Sequence, residues 1–194
     1  MAPIDTGRIE AAVAEILSAI GEDPGRAGLR ATPERVAQAY TEFFSGIGQN
    51  AAGHLADSVL LEDGSAELSE LVVMRGIEFR SICEHHLLPF VGVAHVAYSP
   101  RNRIVGLGRF PRVIDTLASR PTLQEPLTED IADTIFTALD ARGVLVVLEA
   151  VHQCVTTRGS RQTHSSTVTV ASRGSLSDPV ARAETMALIG SQHG

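Results

Sequence analysis

The 194-residue sequence contains no tryptophan, no lysine, two cysteines and only 4% aromatic residues. Few aromatics mean that a core must be built from Val, Leu, Ile and Ala, and a hydrophobic content of 44% permits one. Without lysine, all 16 basic side chains are Arg, so an anion site here must use guanidinium forks or backbone N–H groups. Two cysteines far apart, Cys83 and Cys154, could form one disulfide, but the Cys-x-x-His context and an expected reducing compartment argue for metal ligands. No apolar run is long enough to span a bilayer, and Met1-Ala2-Pro3-Ile4 does not begin a signal peptide, so a cytoplasmic protein without a membrane partner is expected. Positive charge is also scarce. The net charge of −7 argues against general nucleic-acid binding. Up to Glu70 there are four Arg against twelve acidic residues, and from Leu71 onward twelve against eleven, so the acidity belongs to the first third.

The periodicity divides the chain into an N-terminal helical extension, residues 1–56, and a main unit, residues 57–194. Ile9, Val13, Ile16, Leu17 and Ile20 share one helical face, which predicts a helix from Thr6 to about Ile20, ended by Gly21. Thr32-Pro33 reads as N-cap and first turn of a second helix bearing Val36, Ala37, Tyr40, Phe43 and Phe44. Residues 57–70 are acidic and irregular, with a turn at Asp63-Gly64. Leu71–Ile82 and Phe90–Tyr98 are strand-like, and a helix follows over Arg109–Leu117. Arg120-Pro121 interrupts the helical pattern. Thr128 then caps a longer helix carrying Ile131, Ile135, Phe136 and Leu139. Val144–Cys154 and Ser165–Ser172 are strands, and Ser177-Asp178-Pro179 starts a last helix. This order predicts an α+β fold: an antiparallel four-stranded sheet with a helical pair between strands 2 and 3. Four strands are few for the apolar area, so edge pairing between subunits, and hence an oligomer, is expected.

The chemistry gathers at Cys83-Glu84-His85-His86. The Cys-x-x-His spacing lets Cys83 and His86 reach one metal ion from a tight turn, and thiolate with imidazole is a donor set suited to Zn²⁺. A small buried Cys beside polar histidines on a loop is the plain alternative. The other cysteine, Cys154, lies in Val151-His152-Gln153-Cys154. On a strand, His152 and Cys154 face the same way. If that strand runs beside the Cys83 turn, Cys83, His86 and Cys154 converge and leave a fourth metal position open, as in catalytic zinc sites. His85 and His152 are then left nearby as acid–base groups.

These residues resemble the GTP cyclohydrolase I family. The likeness runs from about Asp23 to the final helix. It is carried by Cys-Glu-His-His-Leu-Leu-Pro-Phe at 83–90, Arg-Pro-Thr-Leu-Gln-Glu-Pro-Leu-Thr at 120–128, and Glu-Ala-Val-His-Gln-Cys at 149–154 followed by Arg158-Gly159. The resemblance implies a tunnelling fold whose subunits join their sheets into an oligomeric barrel, usually a decamer with active sites at subunit interfaces. It implies Zn²⁺ on Cys83, His86 and Cys154, and zinc-assisted attack of water on C8 of GTP. Formate release, ribose rearrangement and reclosure to 7,8-dihydroneopterin triphosphate follow. It gives proton transfer to His85 and His152. It places Glu125, with Gln124 beside it, at the guanine edge, and Arg35, Arg109, Arg112 and Arg158 at the triphosphate. The sequence departs from the family where Gly106-Leu107-Gly108-Arg109 replaces the usual Gly-Leu-Ser-Lys, where Gln38 stands in place of a frequent Lys, and at Ser160 and His164. The chemistry residues are kept and the phosphate-facing ones are altered.

Overall fold

The computed structural model describes residues 3–60 and 71–190; the turn expected at Asp63-Gly64 lies outside them. Two helices open the chain, α1 (Thr6–Ala19) and α2 (Thr32–Phe43). They pack on each other, yet no residue of α1 is buried. Asp5 caps α1 by accepting from the Arg8 N–H at 3.0 Å. At α2 the cap falls on Ala31 and Thr32 is already helical, one residue from the expected position, with no side-chain capping bond. Pro33 occupies the first turn, where its missing N–H leaves no helical bond unmade. A 3-10 turn (Ala51–Leu55) follows, then a two-residue strand β1 (Val59–Leu60) paired with β4 (Arg103–Ile104).

The main sheet is built from β2 (Val72–Cys83), β3 (Pro89–Ser99), β5 (Pro121–Thr122), β6 (Gly143–His152) and β7 (Thr167–Gly174), in the order β5-β2-β3-β6-β7. Its four long strands are antiparallel, as the alternation predicts. The expectation of a four-stranded, wholly antiparallel sheet is corrected by β5. This segment pairs parallel to β2, Ile82 with Pro121 and Cys83 with Thr122. Pro121 does break the helical pattern, but the extended backbone that proline favours is here used as a short edge strand. A bulge between Met74 and Ile77 puts Gly76 at φ +69°, a conformation that favours glycine.

The helical pair sits between β3 and β6: α3 (Arg109–Ala118) and α4 (Gln124–Ala138). With the 3-10 turn, these helices cover one face of the sheet. Phe110, Ile114, Leu127, Ile131 and Ile135 meet Phe79, Phe90, Val146 and Leu148 in the main core. α4 begins at Gln124, four residues before the expected cap at Thr128. Pro126 is tolerated in its first turn, and the Thr128 hydroxyl donates to the Gln124 carbonyl at 2.6 Å instead. A last helix, α6 (Pro179–Gly190), covers one end of the opposite face, where Ile189 and Leu176 meet Ala97, Leu145 and Val147.

Candidate metal centre and active site

The turn between β2 and β3 is held tightly. The Cys83 N–H donates to the Leu88 carbonyl at 2.9 Å, and the Leu87 N–H to the Cys83 carbonyl at 2.8 Å. Closing the turn places Leu87 at φ +51°, a left-handed conformation that costs a branched side chain about 1 kcal/mol or more. β5 steadies it from the side, since the Glu84 N–H donates to the Thr122 carbonyl at 3.1 Å. The chain therefore leaves the core at Cys83, which is 4% exposed, and presents Glu84, His85 and His86 to solvent.

β6 delivers the other half of the site. Phe90 and His152 are register partners on β3 and β6, and their rings stack at 4.7 Å with planes 7° apart. The strand ends at His152. Cys154 lies on a single helical turn, α5 (Gln153–Thr156), rather than on the strand the alternation predicts. The helical turn, not strand alternation, carries its thiol to the Cys83 turn.

The ligand atoms of Cys83, His86 and Cys154 lie within 4.8 Å of one another, with Cys83 Sγ 3.8 Å from His86 Nδ1. Neighbouring ligands on a tetrahedral zinc ion are separated by roughly 3.5–3.8 Å, so the donor set fits that ion in both chemistry and spacing. The electrostatics agree. Burial pushes the Cys154 thiol up, and the adjacent Cys83 pushes it further, while Arg158 pulls the other way. A thiol held up in this way is poorly placed without a cation and well placed beside one.

Behind His152 stands a residue the sequence places only at the substrate. Gln124 is 1% exposed; its Nε2 donates to the Leu148 carbonyl at 3.1 Å and the Thr167 carbonyl at 2.9 Å, and its Oε1 lies 2.6 Å from His152 Nε2. Burial depresses the His152 pKa, opposed by the negative charge of the neighbouring Glu125. Glu125 itself is exposed in the first turn of α4. Cys83, His86, Cys154, His152, Gln124, Glu125 and Arg158 thus gather at one end of the sheet.

The remaining arginines stand elsewhere. Arg109 and Arg112 line a pocket of about 270 Å³ with Gly106, Leu107 and Gly108 at the start of α3. Arg109 is ion-paired with Asp57 at 2.8 Å. Arg35 is exposed on α2, and among the described residues no hydrogen bond or ion pair joins Arg35 or Arg112 to the Cys–His–Cys group. His164 and Ser160 are exposed beyond α5. The sequence reading missed Phe90 as the platform for His152, Thr122 as the brace of the turn, and Asp57 as the partner of Arg109. Only Phe90 had a signal, at the end of the Cys83–Phe90 motif. The others depend on tertiary pairing.

The chain is also similar to known proteins in sequence. The chain is 62% identical over 190 residues to GTP cyclohydrolase 1 of Leifsonia xyli subsp. xyli, covering 98% of each chain. It is 51% identical over 191 residues to GTP cyclohydrolase 1 of Clostridioides difficile, covering 97% of this chain and 98% of that one. It is 50% identical over 187 residues to GTP cyclohydrolase 1 of Rhodopirellula baltica, covering 96% and 80%. Among solved structures, the archaeosine synthase QueF-Like in the apo form overlaps 54% of this chain and 93% of its own at 18% identity. Its TM-score is 0.42. The sequence pattern of GTP cyclohydrolase I matches residues 9–190, nearly the whole chain, and the chain belongs to the GTP cyclohydrolase I family.

Proposed function

We propose that this protein opens the imidazole ring of GTP, releases formate and recloses the product as 7,8-dihydroneopterin triphosphate. The observation that carries the reading is the meeting of Cys83, His86 and Cys154 beside the His152–Gln124 pair, in a chain of this family. Cys83, His86 and Cys154 are the residues that would hold Zn²⁺, whose Lewis acidity makes water a nucleophile near neutral pH. His152 stays neutral near pH 7 because burial disfavours its cation, which suits a proton acceptor. His85, exposed at the tip of the turn, is the second proton carrier as the ring opens and the ribose rearranges. The Glu125 carboxylate can accept from the adjacent N–H donors of a guanine edge. Arg158 is close enough to favour the Cys154 thiolate and bears positive charge toward the nucleotide; Arg35, Arg109 and Arg112 contribute at the triphosphate, from this subunit or a neighbour.

The same reading assigns the tunnelling fold, a ring-shaped homo-oligomer, and residues 1–56 and 57–194 as extension and catalytic unit. Two free cysteines fit a reducing, cytoplasmic setting, and no helix among the described residues is long and apolar enough to cross a membrane. The deciding experiment incubates zinc-loaded protein with GTP and measures formate and pterin fluorescence. Both are expected. Formate from GMP or another purine nucleotide but not from GTP would shift the reading to a different substrate. No turnover of any purine nucleotide would leave a non-catalytic nucleotide-binding ring.

A further inference from the structure

We infer that Gln124 is a positioning residue that sets which nitrogen of His152 can accept a proton. The inference builds on the reading of His152 as a proton carrier, but its first consequence is a property of the resting protein. The amide of Gln124 is buried, and its orientation follows from its neighbours. Nε2 lies 3.1 Å from the Leu148 carbonyl, 2.9 Å from the Thr167 carbonyl and 3.1 Å from Thr169 Oγ1. Backbone carbonyls can only accept, so the atom facing them must be the NH₂ group. The hydroxyls agree. Thr128 Oγ1 is 2.6 Å from the Gln124 carbonyl and must donate to it, and Thr169 then donates to Thr128 Oγ1 at 2.6 Å. That leaves Thr169 a lone pair for the Gln124 amide, whose two N–H groups are shared among three acceptors.

Gln124 Oε1 is therefore the atom turned to His152, 2.6 Å from its Nε2. An amide oxygen only accepts. The hydrogen must lie on His152 Nε2, and the lone pair of the neutral ring on Nδ1. The stacked Phe90 ring restrains rotation that would turn Nε2 away from Gln124. A reversed tautomer would set two acceptors against each other in a buried site. Gln124 also ties α4 to β6 and β7, and a purely structural role would end there. The positioning role differs in that it dictates the tautomer.

The test uses zinc-loaded protein labelled with ¹⁵N-histidine at pH 8, with the His152 signals identified by their loss in His152→Asn. The expected spectrum shows Nε2 protonated and Nδ1 bare. Gln124→Met should scramble the tautomer and lower kcat by about 100-fold, the scale of an acid–base contribution. It should keep its zinc and a KM within about threefold. Gln124→Glu, which in its protonated form reproduces one donor and one acceptor, should restore the tautomer and most of kcat. A wild-type His152 protonated on Nδ1, or a Gln124→Met protein with unchanged tautomer and kcat, would overturn the assignment. If the variants do not fold, the wild-type spectrum alone decides. Formate release by the wild type is a separate readout: an inactive protein with its proton on Nε2 refutes the cyclohydrolase reading and still supports the positioning role.

Discussion

Cys83 and Cys154 differ in what surrounds them, and so in what their loss should do. Cys83 is buried against the core, whereas Cys154 is half-buried on a single helical turn. Serine at either position removes a thiolate ligand, so Cys83→Ser and Cys154→Ser should each lose bound zinc and turnover, measured by elemental analysis and formate release. Cys154→Ser should keep a near-wild-type circular dichroism spectrum, because Cys154 only borders the core and serine is close to it in size. Stoichiometric zinc with full turnover in both variants would remove the metal assignment. Arg109 offers a second residue-scale prediction. Asp57 holds its guanidinium at 2.8 Å, but the Asp57 side chain is 76% exposed, so the pair is worth no more than about 1 kcal/mol. If Arg109 serves the triphosphate, Asp57 competes for it, and Asp57→Asn should lower KM for GTP by up to about fivefold at low salt. Added salt should erase the difference. The ligand trio was legible in the sequence because Cys-x-x-His is local and only one other cysteine exists. The partners of Gln124 were not, because its acceptors come from residues 24 to 45 positions away.

α4 links the site to the far edge of the sheet. Its first residue, Gln124, reaches His152; a turn and more later, Glu129 and Asp133 hold Arg173 of β7, both at 2.5 Å. The hydrogen bond from Arg173 holds the Asp133 carboxyl below the ordinary carboxylate range. A depressed carboxylate pKa stabilises the fold above the unfolded-state value and loses that contribution as pH falls through the folded-state value. Asp133→Asn should therefore lower Tm slightly at pH 7. The gap should begin to narrow as pH falls to about 4, the ordinary carboxylate value, and close only below the depressed folded-state value, where the wild-type carboxyl is protonated too. Exposure of Asp133 limits the effect to about 1 kcal/mol or less. At α3, a Cβ on Gly108 would meet nothing within 4 Å, and its φ of −62° suits any residue. Gly108→Ser can thus return the family's hydroxyl without strain. With Gln38→Lys it should lower KM for GTP and leave kcat little changed, since a hydrogen bond to a charged group is worth about 1.5–3 kcal/mol. An unchanged KM would show that neither position faces the triphosphate. The long elements were legible because their periodicity is strong: β2, β3 and α3 fall within a residue of their expected ends. The misreadings cluster where local chemistry yields to tertiary pairing. Thr128 looks like a cap but bonds within α4, Pro121 looks like a break but joins β2, and Cys154 looks like strand but sits on a turn.

The whole molecule leaves apolar surface and strand edges without cover among the described residues. On the sheet face away from α3 and α4, α6 shields only one end; toward the site, Val91, Val151 and Val168 are 49%, 40% and 56% exposed. β7 pairs on one side only, and β2 meets β5 at just two residues, so much of both outer edges is unpaired in the sheet. On α1, Ile16 and Ile20 are 58% and 69% exposed. Such long edges invite pairing with another chain. Two different edges on one subunit make a head-to-tail contact, which closes into a ring when the rotation permits. In such a ring we propose that arginines unconnected to Cys83, His86 and Cys154 within one subunit serve the site of the next. Light scattering should therefore give a large, discrete multiple of the 20.6 kDa subunit mass. Val168→Lys places a charge on the β7 edge, so it should shift the protein toward smaller species and reduce turnover per zinc-loaded subunit, although His152, Cys83, His86 and Cys154 are untouched. A stable 20.6 kDa monomer with full activity would show that one subunit holds a complete site, and the ring would have to be abandoned.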